Sequence, residues 1–225
     1  MSAAARTVPR GSDALVIVAT LAAGLYIDVL TDIAGQTALG LAVWLVLFYV
    51  LRGTTGVERL ALMACLVIAT IGEMVLSLGW GLYTYRLGNV PLFVPPGHVL
   101  MLLLGLSLAR VMPRTVAYAI FSFAALYSLV AAVAGVDTLG VALFLILAVS
   151  AIAMPAQRTL YASTFVLSLL LELYGTWLGN WNWARDVPAT PFVTTNPPGA
   201  AGAFYCALDA AVASFSMLLA RRWSR

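Results

Sequence analysis

The chain has 225 residues, 63% of them hydrophobic and only 9% charged, with a net charge of +3 and a mean hydropathy of +1.00. A soluble domain carries about 25% charged residues, so too little polar surface is present here to clothe a water-soluble fold. All twelve basic residues are arginine, which excludes a retinal Schiff base and any lysine nucleophile, and their mostly single placement in loops argues against nucleic acid as a partner.

The solvent left is the lipid bilayer, where only helices and closed barrels satisfy the backbone. The apolar runs are about 17–23 residues long and do not alternate, which selects helices over barrel strands. Residues 1–12 form a short polar arm with Arg6 and Arg10. The pattern then predicts an all-α polytopic membrane protein with helices over 13–31, 35–52, 58–79, 98–113, 115–134, 138–155, 158–178 and 200–221. The first run ends at Asp28 and a second span follows almost at once, the pattern of an uncleaved first helix rather than a secretory signal. The two long segments, 80–97 and 179–199, are rich in aromatic residues, Pro and Gly. They are too apolar for free linkers and are expected to fold back over the helix ends.

With eight spans, one set of loops collects Arg6, Arg10, Arg52, Arg59, Arg110, Arg114, Arg158, Arg221, Arg222 and Arg225, against Arg86 and Arg185 in the other. Positive charge stays in the cytoplasm, so both termini are expected there, in an inner-membrane, multi-pass protein. A seven-span reading would split this pattern.

The chain also repeats itself. Glu58-Arg59 matches Gln157-Arg158, Glu73 matches Glu172 and Arg86 matches Arg185, each 99 residues apart, and Pro95-Pro96-Gly97 matches Pro197-Pro198-Gly199 at 102. Self-similarity at one offset, in a chain so poor in charge, indicates duplication. The expectation is a single membrane domain of two parallel four-helix repeats, about 13–113 and 114–221, related by an axis along the membrane normal.

Glu73 and Glu172 are the leading candidates for chemistry. Glu73 lies 14 residues after Arg59, about 21 Å along a helix, in the outer part of the hydrocarbon. Intramembrane carboxylates are costly and are functional candidates by default. A protonated and an ionised carboxyl together make an acid and a base. The structural alternative is that each only pairs with an arginine or caps a loop. Asp209, about ten residues into the last span, is the third candidate, with a simple hydrogen bond to a neighbouring helix as its alternative. Arg86 and Arg185 could hold an anionic headgroup, pair with the glutamate of their own repeat, or merely snorkel. His98 follows Pro-Pro-Gly, where it caps a helix or orients a carboxylate. Trp80, Tyr83, Tyr85, Trp177, Trp181 and Trp183 are favoured as an interfacial aromatic belt; the sharper reading is a wall that stabilises a cation. Asp28 and Asp32, four apart on one helix face, could hold Mg²⁺ for a diphosphate, although a solvated helix end is favoured.

One histidine leaves no room for di-iron or bis-His haem ligation. Cys65 and Cys206 sit inside apolar runs at no motif spacing, which argues against a disulfide framework or a structural zinc site. No metal or organic cofactor is expected. An Asp-rich prenyltransferase box, a P-loop, HExxH, GxSxG and a dinucleotide fingerprint are all absent.

The pattern Glu172-x2-Gly175-x3-Gly179-x-Trp181-x-Trp183 resembles the Glu-containing loops of integral-membrane carotenoid-modifying proteins, of the carotenoid 1,2-hydratase and small lycopene-cyclase type. The first copy has Leu76 where Gly175 stands in the second. The resemblance covers some 15–30 residues around Glu172 and reaches Glu73 only through the repeat. It implies proton-initiated hydration or cyclisation of an isoprenoid double bond, without an organic cofactor. Glu73 or Glu172 would donate the proton, Asp209 or the other glutamate would be the base, and Arg86, Arg185, His98, Trp80, Tyr83, Trp181 and Trp183 would contact a hydrophobic substrate. The alternatives are a small proton-coupled transporter or lipid-binding permease, and a structural membrane protein without turnover.

Overall fold

The computed structural model describes residues 11–223. Arg6, Arg10 and Arg225 lie outside the described residues, as do the side chains of Arg221 and Arg222. Eight α-helices are present among the described residues: α1 (Gly11–Val29), α2 (Ile33–Leu51), α3 (Gly56–Glu73), α4 (Val94–Val111), α5 (Arg114–Val133), α6 (Leu139–Ala153), α7 (Arg158–Leu178) and α8 (Gly202–Trp223). Two three-residue strands, β1 (Tyr83–Tyr85) and β2 (Trp181–Trp183), lie in the long segments after α3 and α7.

Four stretches, Ile33–Leu51, Glu58–Gly79, Val94–Val111 and Arg114–Val133, are long and apolar enough to cross a membrane, and a fifth is added if α6 and α7, which meet at a 109° bend, form one broken span. Large apolar side chains such as Leu15, Leu45, Val133 and Ile152 point outward, as lipid-facing residues do. The protein is therefore an all-α chain whose helices suit a multi-pass membrane protein, with four or five spans passing on length and composition where the sequence suggested eight.

Helix starts follow local chemistry. Asp32 caps α2, its carboxylate accepting the Gly35 N–H at 2.9 Å. Thr55 and Glu58 form a reciprocal capping box at α3. The start of α4 corrects the sequence reading. The helix begins at Val94, not at His98, because Pro95 and Pro96 occupy its first turn, where no N–H is needed and a fixed φ suits the helix. At the other end of the hairpin region, α7 stops at Gly179, whose φ of 88° is left-handed.

After α3 the chain does not leave the helix cleanly. Met74–Gly79 form a π-helical segment, which winds an extra residue into one turn. The Trp80 N–H bonds Val75 O at 2.7 Å, and Gly81 turns the chain out with φ 73°. The strands then pair antiparallel, with Tyr83 opposite Trp183, Thr84 opposite Asn182 and Tyr85 opposite Trp181. Two bonds frame this ladder evenly: the Arg86 N–H to Asn180 O at 2.8 Å and the Ala184 N–H to Leu82 O at 2.9 Å. Thr84 and Asn182 face outward while the four rings face in, as the period of two requires.

Helices α3, α4, α7 and α8 pack on one another beneath the ladder, with α1–α2 and α5–α6 as flanking pairs. The first halves of α4 and α7 are nearly all buried. The ladder and these four helices thus enclose the interior of the protein.

Candidate functional site

Beneath the ladder lies a cavity of about 330 Å³, lined by residues of α1, α3, α4, α7, α8 and both strands, Glu73 and Glu172 among them. Each glutamate ends up under the ladder because it sits near the end of a helix that runs into a strand. The first is held by phenols: Glu73 Oε2 accepts the hydroxyls of Tyr83 at 2.7 Å and Tyr85 at 2.6 Å. The second is held by indoles: Glu172 Oε2 accepts the Nε1–H groups of Trp181 at 2.8 Å and Trp183 at 3.0 Å. In both cases alternate residues of one strand reach one carboxylate oxygen. The rings also pack across the ladder, Tyr83 on Trp183 with centroids 4.8 Å apart.

The second oxygens differ. Glu73 Oε1 lies 3.4 Å from His98 Nε2. The other ring nitrogen, Nδ1, lies 3.0 Å from Val94 O. A carbonyl only accepts, so Nδ1 carries a hydrogen. Nε2 then faces Glu73 Oε1, close enough for a proton to pass between them. Tyr205 stacks on His98 at 4.9 Å and 11° and fixes the ring plane. Glu172 Oε1 has no hydrogen-bond partner among the described residues.

Tyr83 and Tyr85 lie outside the helices. Burial, and after it the Glu73 carboxylate, pushes both phenols well above the ordinary tyrosine value. They remain protonated donors throughout the physiological range.

The structure gathers at this cavity the sequence candidates Glu73, Glu172, His98, Tyr83, Tyr85, Trp181 and Trp183. For Tyr83, Tyr85, Trp181 and Trp183 the interfacial-belt reading gives way to buried rings with their polar atoms on carboxylates. Trp177, by contrast, is 79% exposed. Trp80 is half-buried and donates to Pro188 O at 2.8 Å, tying the two long segments together away from the cavity. Asp209 is buried in α8 but does not line the cavity, and its Oδ2 has no hydrogen-bond partner among the described residues.

Arg86 pairs with neither glutamate. Its Nη2 donates to Asp28 O and to Thr31 O at 2.7 Å and lies 3.7 Å from Asp28 Oδ1. Arg185 is exposed, with no side-chain partner among the described residues. The framing bonds of the ladder also make Arg86 equivalent to Ala184, not to Arg185. The extra residue in the π-helical segment accounts for the slip: 99 residues separate the glutamates, and 98 separate Tyr83 from Trp181.

The favoured reading of Asp28 as a solvated helix end is also corrected. Asp28 is 1% exposed. It accepts Gln36 Nε2 and Asn180 Nδ2, both at 2.8 Å. Asp32 instead caps α2, so the two carboxylates do not converge. No cluster of three or more His, Cys, Asp or Glu suited to a metal occurs among the described residues.

Sequence reasoning did not single out Tyr205, Asn180, Gln36 or Asp137. Asp137 is buried and accepts the N–H groups of Gly140 and Gly199, both at 2.9 Å, and the Thr194 hydroxyl at 3.1 Å. It pins the α5–α6 turn to the segment before α8. An acid beside Gly135 in a short turn was the available signal. Comparison with known proteins returned no matching family model, no matching curated protein and no matching solved structure.

Proposed function

We propose that this protein is an integral membrane enzyme that protonates a double bond of an isoprenoid-like substrate, leading to hydration or cyclisation. One observation carries the reading. Two carboxylates line a single apolar cavity, each anchored through one oxygen, and only one of them has a histidine on the other.

In this reading the Glu73–His98 pair supplies a proton to an alkene carbon, and a tertiary carbocation forms on its neighbour. The rings of Tyr83, Trp181, Trp183 and Tyr205 present π-faces that stabilise the cation. Water then attacks the cation and gives its proton to Glu172 Oε1. In cyclisation, Glu172 takes the proton from an adjacent carbon instead. Exchange with water returns the proton to the Glu73–His98 pair. The cavity volume falls at the low end for small-molecule sites, which suits one end group of a long substrate with its tail between helices.

The same reading takes the chain as two four-helix halves, α1–α4 and α5–α8, with eight crossings, both termini in the cytoplasm and an inner-membrane location. The even framing of the β1–β2 ladder and the matched anchoring of Glu73 and Glu172 support the duplication. The distribution of arginines supports the orientation. Periplasmic reporter fusions at residues 88 and 189, against cytoplasmic reporters at 53 and 156, test the topology.

The chemistry is tested by mass spectrometry of organic extracts from an isoprenoid-producing host. Wild type, Glu73→Gln and Glu172→Gln are compared at matched membrane expression. A new isoprenoid product, or one shifted by the mass of water, seen only with wild type supports the enzyme. Identical extracts from all three remove the isoprenoid reading for that host's substrates and leave proton-coupled transport, by the same two carboxylates, to be tested next.

A further inference from the structure

A second cavity, of about 310 Å³, opens at the end of the molecule opposite the ladder, where α5 and α7 begin. It is lined by Arg114, Ala117, Tyr118, Pro155, Ala156, Arg158 and Thr159, with no acidic residue. We infer that this cavity is a phosphate-binding site. The ligand is a phosphate group at the membrane surface, carried by an anionic lipid or free in solution. The inference does not depend on the chemistry of Glu73 and Glu172.

Three independent features converge there. The first is charge placed in advance. The Arg158 Nε donates to Ala151 O at 2.9 Å and Nη1 donates to the Tyr118 hydroxyl at 2.9 Å. The guanidinium is thereby fixed, with Nη2 left to donate. Arg114 has no hydrogen-bond or ion-pair partner among the described residues. A rigid guanidinium fork suits phosphate oxygens, and less entropy is lost per bond when the fork is already held.

The second feature is a pair of uncapped helix starts. Neither Pro113, before α5, nor Gln157, before α7, caps its helix with a side chain. The contrast with α3 is informative. That helix brings its own carboxylate, Glu58, to its own N-terminus. At α5 the first N–H groups remain available to an external anion, as do the positive dipole ends of both helices, α7 being entered through the 3₁₀ turn Pro155–Gln157. The third feature is the cavity itself, which gives a tetrahedral anion a concave seat between two helices and a short 3₁₀ turn, Pro155–Gln157. Two guanidinium groups, one phenol and two helix starts make an anion seat; no apolar ligand would match them.

The full-length protein in a neutral detergent tests this. Native mass spectrometry counts bound lipid on titration with phosphatidylglycerol, with phosphatidylcholine as the zwitterionic control. A parallel titration uses inorganic phosphate and diphosphate, followed by ³¹P NMR line broadening. The expected result is one saturable anionic ligand, weakened about tenfold by Arg114→Gln, as for loss of one charge-assisted hydrogen bond. Arg59→Gln, an exposed arginine at the start of α3 that donates only to Thr54 O, leaves it unchanged. Arg158→Gln weakens it further; Arg114→Gln keeps the test valid if loss of Arg158 disturbs the fold, because Arg114 supports nothing else. Saturation by phosphatidylglycerol alone assigns a lipid headgroup, and saturation by phosphate or diphosphate assigns a soluble ligand; both uphold the site. Equal binding of all anionic probes by wild type and Arg114→Gln, or no saturable binding by wild type, overturns it.

Discussion

Gly175 stands one helical turn after Glu172, and a methyl group there would meet the Trp181 ring: an added Cβ falls closest to Cη2 and Cζ2 and lies 2.7 Å from Cζ3. The indole cannot yield freely, since its Nε1–H is held on Glu172 at 2.8 Å. Gly175→Ala therefore forces either a strained ring or a broken bond. Overpacking costs about 1–3 kcal/mol, and losing a hydrogen bond to a charged group costs about 1.5–3 kcal/mol. Against this, Ala gains roughly 1 kcal/mol over Gly in a helix. With either outcome, the expected net loss is about 0.5–2 kcal/mol. The sharper expectation is a reversal of sign. In a Trp181→Ala background the obstacle is gone, and Gly175→Ala should stabilise the protein by up to about 1 kcal/mol. Unfolding of the four proteins of this cycle in mixed micelles, followed by circular dichroism, measures both values. Destabilisation of similar size in both backgrounds would refute the account, because the cost would then not come from Trp181.

Other outcomes follow from the same geometry. Because burial and Glu73 raise the Tyr83 and Tyr85 phenols, the unfolded chain ionises first as pH climbs. Their contribution to stability is intact below the ordinary phenol value of about 10 and falls as pH rises beyond it. Tyr83→Phe/Tyr85→Phe should flatten that alkaline decline in pH-dependent unfolding; an unchanged slope would contradict it. Asp28→Ala leaves the buried Gln36 Nε2 without its acceptor, takes one of two acceptors from Asn180 Nδ2 and removes the carboxylate beside Arg86, and should destabilise by about 2–4 kcal/mol, whereas Asp32→Ala, which removes only a cap, should cost about 1 kcal/mol. Equal losses from the two in thermal unfolding would overturn the distinction between them. On the proposed mechanism, His98→Gln should lower product formation while leaving Glu73 anchored by its two phenols, and Glu73→Gln should abolish it; full product formation by His98→Gln would remove the histidine from that mechanism.

The helices were legible where local pattern decides. For α7 the expected 158–178 and the observed Arg158–Leu178 coincide, because an apolar run ends at a glycine that takes a left-handed turn. Glu73 and Glu172 were found because a carboxylate inside an apolar run stands out. Their partners were harder to see. The tyrosines follow Glu73 at ten and twelve residues and the tryptophans follow Glu172 at nine and eleven, and the π-helical turn that causes the shift has no sequence signature. Aligning the charged residues therefore paired Arg86 with Arg185, although only the first is engaged. Asp28 was read as solvated because one of its partners, Asn180, is 152 residues away, a distance that no local pattern spans. Tyr205 carries no signal of its own in α8, since an aromatic residue in a membrane helix is ordinary.

Glu73 sits on α3 and Glu172 on α7, yet each carboxylate is tied by side-chain hydrogen bonds to one strand of a shared ladder, whose strands lie about 4.7–4.9 Å apart. Membrane helices tilt to match bilayer thickness at a cost of only fractions of a kcal/mol per ångström. Groups placed on separate helices drift with that tilt unless, like these two, they are also tied to a shared ladder. The short β1–β2 pairing thus works as a ruler, holding Glu73 and Glu172 in fixed relation while the surrounding helices adjust to lipids of different length.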